Sequence, residues 1–497
     1  MLRSLHGENR VLPIKDTIVL GRNRLTKMKH ISCSRRQMEI AYDLPTDSYR
    51  VRHVGRHRSV VAGKLIAKGD VVTLKSGDVL ELLPGRCKFR FEQAKRAARM
   101  QTSLDFFTSP NTDLLKNRKW VKSPGLLVFT VGDVTASNKI AAFDLDGTII
   151  NTMSGRVYPT DAADWTFANG KVVSKLRQLS KDGFNVVIFT NQKGISSGRM
   201  PEEEFQSKLE RIANVLCIPF VCYTSTRDDF YRKPRLGMWE RYCATENSNA
   251  QLNMEWSFFV GDAAGRRAEL NRPKDHSCAD RLFALNAGLR FQTPEEFFLG
   301  RPPETYKMPA FNPKALVIRS IEELLEPTGS PLITGKQEVI VLVGIPGSGK
   351  SYFFTKYLKP HGFVHVSLDI LANSGRCVEY VEKSLVQGSS IAIDNTNADK
   401  KSRATYIALA KRANVDCRCF VMNVTFEHAR HNNAYRRMIG TDKAHSNITD
   451  VVMNTFKARY EEPTLNEGFS SIVRANFLPD FDDQRHQQIY QMYLLEQ

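Results

Sequence analysis

The segment Gly344-Ile-Pro-Gly-Ser-Gly349-Lys350-Ser351 restricts the fold more than any other part of this sequence. It fits G-x-x-x-x-G-K-[ST] and follows directly on the apolar run EVIVLVG. A backbone that turns its N–H groups onto an anion needs glycine at the turns, a buried strand before it and a helix N-terminus after it. The chain beyond Glu338 is therefore expected to be an α/β layer with parallel strands. Gly344, Gly347, Ser348 and Gly349 would cradle the phosphates of a nucleotide. Lys350 would neutralise their charge, and the Ser351 hydroxyl would ligate Mg²⁺. Downstream, FVHVSL leads to Asp369, placed to take a proton from a substrate hydroxyl; an N-cap of the following helix is the alternative. IAIDNTN ends a strand at Asp394, where a metal-organising carboxylate is usual. EHARHNNAYRRM puts Arg430, Arg436 and Arg437 on one helical stretch, as a lid over the phosphates or as a solvated face.

A second strand-end motif stands upstream, Phe143-Asp144-Leu145-Asp146-Gly147-Thr148, after the apolar run KIAAF. Carboxylates two residues apart at a strand end can take different tasks. Asp144 would attack phosphorus, and Asp146 would protonate the leaving oxygen and then activate water. Phosphate monoesters are among the slowest esters to hydrolyse, so such a pair needs cations nearby. Thr190 ends VVIFT beside Asn191 and would hydrogen-bond a phosphoryl oxygen. Lys233 in RKP would neutralise charge. Asp262 ends SFFVGD and would share Mg²⁺ with Asp144 and Asp146.

With 497 residues the chain has room for about three domains, and the linkers divide it accordingly. Residues 1–92 alternate short apolar runs (TIVLGR, RQMEIAY, YRVRHV, DVVTL, DVLELL, CKFRF) with turns, an all-β pattern. Residues 93–138 read as a basic linker, 139–319 as the α/β domain with Asp144, 320–337 as a Pro/Gly-rich linker, and 338–497 as the α/β domain with the phosphate loop. A balance of 71 basic against 53 acidic residues, +18 overall, favours a polyanionic partner. The nine scattered cysteines have neither zinc nor disulfide spacing, as expected in a reducing compartment; Cys417 and Cys419 read as core thiols. MLRSLHGENRVLPI lacks the apolar run of a signal peptide, and no stretch has membrane-spanning length, so no membrane association is expected.

Leu20-Gly21-Arg22 followed by Cys33-Ser34-Arg35-Arg36-Gln37 resembles the forkhead-associated domain, and the Asp144 motif set resembles the haloacid dehalogenase phosphatases. In that order with a P-loop kinase, the chain is similar to the animal polynucleotide kinase 3′-phosphatase family. The likeness is dense at CSRRQ, FDLDGT, FTNQKGI, RKPRLGMW, FVGDAAGR, SCADRLFALN, IDNTN, ARHNN and EEPTLNEGF. It implies an all-β forkhead-associated sandwich, then an α/β haloacid-dehalogenase-like 3′-phosphatase, then an α/β P-loop 5′-hydroxyl kinase. It also implies ATP and Mg²⁺, DNA carrying 3′-phosphate or 5′-hydroxyl ends as substrate, phosphorylated DNA-repair scaffolds as partners, and the nucleus as location. Arg22, Ser34 and Arg35 would hold the phosphopeptide, Asp144, Asp146 and Asp262 the phosphatase core, and Lys350, Ser351 and Asp369 the kinase core. Two positions depart from the family: Leu368 and Ser197 stand where an Arg is usual, with Arg376 and Arg199 as candidate substitutes. Gln37 stands where many forkhead-associated domains have His. RNA ends, or a phosphopeptide scaffold with decayed enzymes, are the alternative readings; a monomer is the default.

Overall fold

A computed structural model describes residues 2–4, 11–12, 17–23, 26, 28–43, 48–92, 117–156, 159–269, 272–316, 320–440 and 448–496. The chain forms two compact units, 1–110 and 111–497.

The first unit is all β among its described residues, as its alternating pattern predicts. One sheet runs β2-β1-β10-β9-β6-β7, from β1 (Leu2–Ser4), β2 (Val11–Leu12), β6 (Ser59–Val61), β7 (Lys64–Ile66), β9 (Val79–Leu83) and β10 (Arg86–Phe91). The other runs β3-β4-β5-β8, from β3 (Thr17–Leu20), β4 (Met38–Asp43), β5 (Ser48–His53) and β8 (Val71–Leu74). Leu20, Met38, Ile40 and Val51 of one sheet share a core with Leu2, Leu80, Leu82 and Phe91 of the other. This is the packing of a sandwich.

In the second unit, the Asp144 motif belongs to a seven-stranded sheet of order β11-β12-β17-β16-β13-β18-β19. Its strands are β11 (Arg118–Ser123), β12 (Leu126–Val131), β13 (Ile140–Phe143), β16 (Asn185–Asn191), β17 (Phe220–Ser225), β18 (Phe258–Val260) and β19 (Arg290–Gln292). A separate two-stranded ribbon pairs β14 (Ile150–Asn151) with β15 (Thr166–Phe167). The run β17-β16-β13-β18-β19 is parallel, and β13 and β17 are buried throughout. Continuous apolar strands covered on both faces are what such a sheet requires. The linker boundary expected at 138 is corrected here. Residues 118–131 form the antiparallel hairpin β11–β12, paired to β17 in the body of the seven-stranded sheet. Only 93–116 of the expected linker lies outside the described residues.

The phosphate loop belongs to a six-stranded sheet, β20-β25-β24-β21-β23-β22, parallel except for β20. It is built from β20 (Leu325–Glu326), β21 (Glu338–Val343), β22 (Val364–Val366), β23 (Ile391–Asp394), β24 (Asp416–Asn423) and β25 (Ser471–Asn476). The expected linker 320–337 therefore contains a strand, because Leu325 and Glu326 pair with Ala475 and Arg474 at the sheet edge. Cys417 and Cys419 are buried free thiols on β24, as expected.

The two α/β layers share a core. Ala434, Ile489, Met492 and Leu494 from the C-terminal part pack with Trp239, Tyr242 and Phe283 of the layer that carries Asp144. No described helix is long and apolar enough to cross a membrane.

Candidate functional site

The sequence places Asp144, Thr190 and Asp262 at strand ends, and the structure puts them there. Asp144 follows β13, with its N–H bonded to the Val260 carbonyl at 2.8 Å. The buried Lys233 Nζ donates to Asp144 Oδ1 at 2.6 Å and to Asp280 Oδ1 at 2.7 Å. Asn191 fixes the lysine backbone from both sides: its Nδ2 donates to the Lys233 carbonyl at 3.1 Å, and its Oδ1 accepts from the Lys233 N–H at 2.9 Å. Burial alone lowers an ammonium, but Asp144 and Asp280 hold Lys233 above the ordinary lysine range. Burial pushes the Asp144 carboxyl up to about 7 against the pull of Lys233. Burial and the Asp144 charge push Asp262 well above the usual carboxylate range.

Asp144, Asp262 and Asp280 bring oxygens within 4.8 Å of one another. Three hard oxygen donors face one lysine, and burial together with the neighbouring carboxylate charge raises Asp144 and Asp262, a crowding that a divalent cation such as Mg²⁺ would relieve, so the set fits one. Backbone geometry protects the cluster. Gly147 has φ +83°, and a Cβ there would lie 2.4 Å from Asp262 Oδ2. Asp146, expected among the metal ligands, directs its carboxylate elsewhere, to the Gln192 amide and the Lys208 ammonium. Thr190 is buried and its Oγ1 accepts from Gln192 Nε2 at 3.0 Å. Thr148 Oγ1 is buried with no hydrogen-bond partner among the described residues.

At the phosphate loop, Gly347 and Gly349 have φ +90° and +91°, the left-handed turns that the cradle needs. A Cβ on Gly347 would also meet the Ala429 carbonyl at 2.7 Å. Lys350 Nζ lies over the loop, donating to the Gly344 carbonyl at 2.8 Å and the Ile345 carbonyl at 3.2 Å, and burial lowers it to about 8. An incoming phosphate would displace those neutral acceptors. Ser348 Oγ is buried without a partner. Asp394, at the end of β23, accepts from His365 Nε2 at 3.0 Å and from the Ser351 hydroxyl. Burial, which raises a carboxyl, is outweighed by these bonds and by Lys350, so Asp394 is held below its ordinary value. The Ser351–Asp394 pair fits Mg²⁺ beside a nucleotide.

Asp369 is exposed on the short helix Leu368–Leu371, whose N-cap is Ser367; the capping alternative for Asp369 is thereby corrected. Arg436 is bonded to Asn433, which reaches the Pro346 carbonyl at 3.2 Å, so it stands beside the loop. Arg430 pairs with Asp450 at 3.3 Å and Arg437 lies 3.9 Å from Asp228. Leu368, Ser197, Arg199 and Arg376 are all exposed.

In the first unit, the Arg22 N–H donates to the Ser34 carbonyl at 2.8 Å and Arg22 Nε to the Cys33 carbonyl at 3.2 Å. Ser34 Oγ accepts from the Arg56 N–H at 3.1 Å, and Arg35 is exposed beside it. Gly21 is forced by this approach, because a Cβ would lie 2.4 Å from the Arg35 carbonyl oxygen. Gln37 is fully buried and does what a ring nitrogen pair would do. Its Oε1 accepts from the Ser34 N–H at 3.0 Å, while Nε2 donates to the His57 carbonyl and to Ser59 Oγ.

Sequence reasoning gave no role to Asp280, Gln192, Lys208 or His365. Asp280 sits in the first turn of the helix Ala279–Ala287, where an acid reads as ordinary helix-start chemistry. Lys208 did leave a signal: it falls on the apolar stripe Phe205, Leu209, Ile212, Ala213 and Leu216.

Two phosphate chemistries thus share one folded body, a haloacid-dehalogenase-type phosphatase joined to a P-loop kinase and preceded in the chain by a forkhead-associated domain. Family models agree along the sequence: FHA domain over 1–68, polynucleotide kinase 3 phosphatase over 139–298, and AAA domain over 339–463. The bifunctional polynucleotide phosphatase/kinase of Schizosaccharomyces pombe is 34% identical over 401 residues, which are 79% of this chain and 94% of that protein. The polynucleotide 3′-phosphatase ZDP of Arabidopsis thaliana is 37% identical over 177 residues, 33% of this chain and 24% of that one. The chain belongs to the bifunctional polynucleotide phosphatase/kinase family, and it has both a polynucleotide 3′-phosphatase and a polynucleotide kinase.

Proposed function

We propose that the polynucleotide is DNA, and that the chain prepares broken ends for ligation in single- and double-strand break repair in the nucleus, working as a monomer. The buried bridge from Lys233 to Asp144 and Asp280 carries the phosphatase reading, because it presents one carboxylate to phosphorus beside a held cation. Asp144 Oδ bonds to phosphorus while the bond from phosphorus to the 3′ oxygen breaks, and Asp146 gives its proton to that oxygen. Asp146 then takes a proton from water, whose oxygen displaces Asp144 and releases phosphate. Thr190 and Lys233 hold the phosphoryl oxygens throughout. At the other site Asp369 takes the proton of the 5′-hydroxyl, whose oxygen bonds to the γ-phosphorus as ADP departs. Lys350, Arg436 and the loop N–H groups hold the phosphates. Asp144, Asp262 and Asp280 in one site, and Ser351 with Asp394 in the other, would hold Mg²⁺, which when bound would supply positive charge against the phosphoryl oxygens.

The net charge of +18 supports a nucleic-acid backbone as partner. In the first unit Arg22, Ser34 and Arg35 support docking onto a phosphothreonine of a repair scaffold. Nicked DNA with a 3′-phosphate and a 5′-hydroxyl, given ATP and Mg²⁺, tests the reading. Asp144→Ala should abolish only phosphate release, and Lys350→Ala should abolish only 5′ phosphorylation. Faster turnover of the same ends in RNA would transfer the function to RNA.

A further inference from the structure

Lys208 is a buried lysine that the mechanism above leaves without a task. It lies in the helix Glu202–Leu216, on the face that carries Phe205, Leu209, Ile212 and Leu216 into the phosphatase core. Its side chain is 4% exposed, and Nζ stands 3.6 Å from Asp146 Oδ1 and 5.3 Å from the centroid of the Phe205 ring. An ammonium in an apolar stripe costs solvation, and an apolar residue of the same length would pack there without that cost. The charge is aimed at Asp146, whose own side chain is 52% exposed and would otherwise be free to turn in the mouth of the site. Gln192 completes the clamp from the other side. Its Nε2 bonds Asp146 Oδ2 and also Thr190 Oγ1. One oxygen of Asp146 thus faces a buried cation, and the other is tied to the residue that holds the phosphoryl group.

We propose that Lys208 is a positioning residue of the phosphatase: with Gln192 it fixes the Asp146 carboxyl in the orientation that reaches the leaving 3′ oxygen. This rests on the reading of Asp146 as the proton donor. The bonds made and broken in the reaction are those already given; Lys208 changes none of them and touches no reacting atom.

The full chain carries the test as Lys208→Met, Lys208→Arg and Asp146→Ala, each assayed on a 3′-phosphorylated oligonucleotide, on p-nitrophenyl phosphate and for 5′ kinase activity. Lys208→Met should lower phosphatase kcat on the oligonucleotide about tenfold to a hundredfold, the penalty of a misplaced catalytic group, with KM nearly unchanged. p-Nitrophenyl phosphate, whose leaving group needs little proton, should lose less. Lys208→Arg should recover most of the loss. Kinase activity should stay at its wild-type level, and the melting temperature should hold or rise because methionine suits the stripe. Unchanged kcat overturns the proposal. So does a rise in KM alone, which would make Lys208 a substrate contact, and so does a parallel fall of the kinase, which would make it a folding residue. Asp146→Ala keeps the two failures apart: if that variant stays active, the reading of Asp146 itself is wrong.

Discussion

The loop that delivers Lys233 is anchored by the last residues of the chain, and one amide tests that anchor. Asn286 Nδ2 donates to the carbonyls of Pro234 and Tyr493, both at 2.9 Å, and its Oδ1 accepts from the Tyr493 N–H at 2.9 Å. Asn286→Ala removes three neutral hydrogen bonds of about 1 kcal/mol each, an expected loss near 3 kcal/mol. Only the two bonds to Tyr493, about 2 kcal/mol together, hold the tail, and at 1.4 kcal/mol per decade they are worth about a thirtyfold shift between its docked and released forms. Arg235 Nε still donates to the Leu494 carbonyl at 3.1 Å, the Cys278 N–H to the Glu496 carbonyl at 2.9 Å, and Arg232 still meets Glu496. These contacts keep most molecules docked, so phosphatase kcat should fall about tenfold rather than vanish. The kinase should hold within about twofold, because its loop is reached through Tyr490, upstream of Tyr493: Asn432 Nδ2 reaches the Gly347 carbonyl at 2.9 Å, and Tyr490 OH reaches Asn432 Oδ1 at 2.6 Å. Steady-state kinetics of both activities, read beside the urea midpoint, is the assay. A lower midpoint with an unchanged phosphatase would refute the positional role of the tail. Equal losses in both activities would show a general softening instead.

Asp280→Asn removes one of the three cluster charges without changing shape, so the phosphatase should need about tenfold to a hundredfold more Mg²⁺ while the Mg²⁺ dependence of the kinase stays put; a metal titration of each activity decides. Gln37→Leu leaves the Ser34 N–H without its acceptor and should weaken phosphothreonine-peptide binding by about 1–2 kcal/mol, read by fluorescence anisotropy. Burial lowers His428 to about 4 and His431 to about 3. Both stay neutral in the folded chain while the unfolded chain protonates near 6.5, so stability is complete above that pH and falls as the pH drops toward 4. At pH 5 the cost should be about 2 kcal/mol for His428 alone, and urea midpoints that stay flat from pH 7 to 5 would contradict it.

Much of the chemistry was legible because it sits where strands end. An apolar run followed by D-x-D-G-T or by G-x-x-x-x-G-K-S fixes both the element and the direction in which the next side chains point, so Asp144, Asp262, Lys350 and Asp394 fall where the pattern puts them. The parts that were not legible fail for physical reasons. The strand β11 carries Arg118, Lys119 and Lys122 because it is a sheet edge, and charge on an edge strand blunts unwanted pairing; the same charge made the segment read as linker. The strand β20 is two residues long and leaves no periodicity to detect. Asp280 and Lys208 lie on helices, and their importance comes from what the fold brings opposite them. Only Lys208 betrays itself, by breaking an apolar stripe.

The boundary expected near residue 319 separates two chemistries, but it does not separate two folding units. Bonds run without a break from the phosphate loop at Gly347 through Asn432 to Tyr490, and after Gln491 and Met492 from Tyr493 through Asn286 to Pro234, the neighbour of Lys233. Leu494 and Ile489 pack into the core beside Trp239 and Phe283, and Arg485 makes two bonds to Glu240, so the tail is held by burial as well as by polar contacts. A connected path of this kind is rigid support and does not by itself constitute signalling, since signalling requires an element with two arrangements. Its consequence is structural. Arg232, Pro234 and Arg235, which flank the phosphatase lysine, are held through residues that follow the whole kinase sheet, while Lys233 itself is held by Asn191, Asp144 and Asp280 of its own layer.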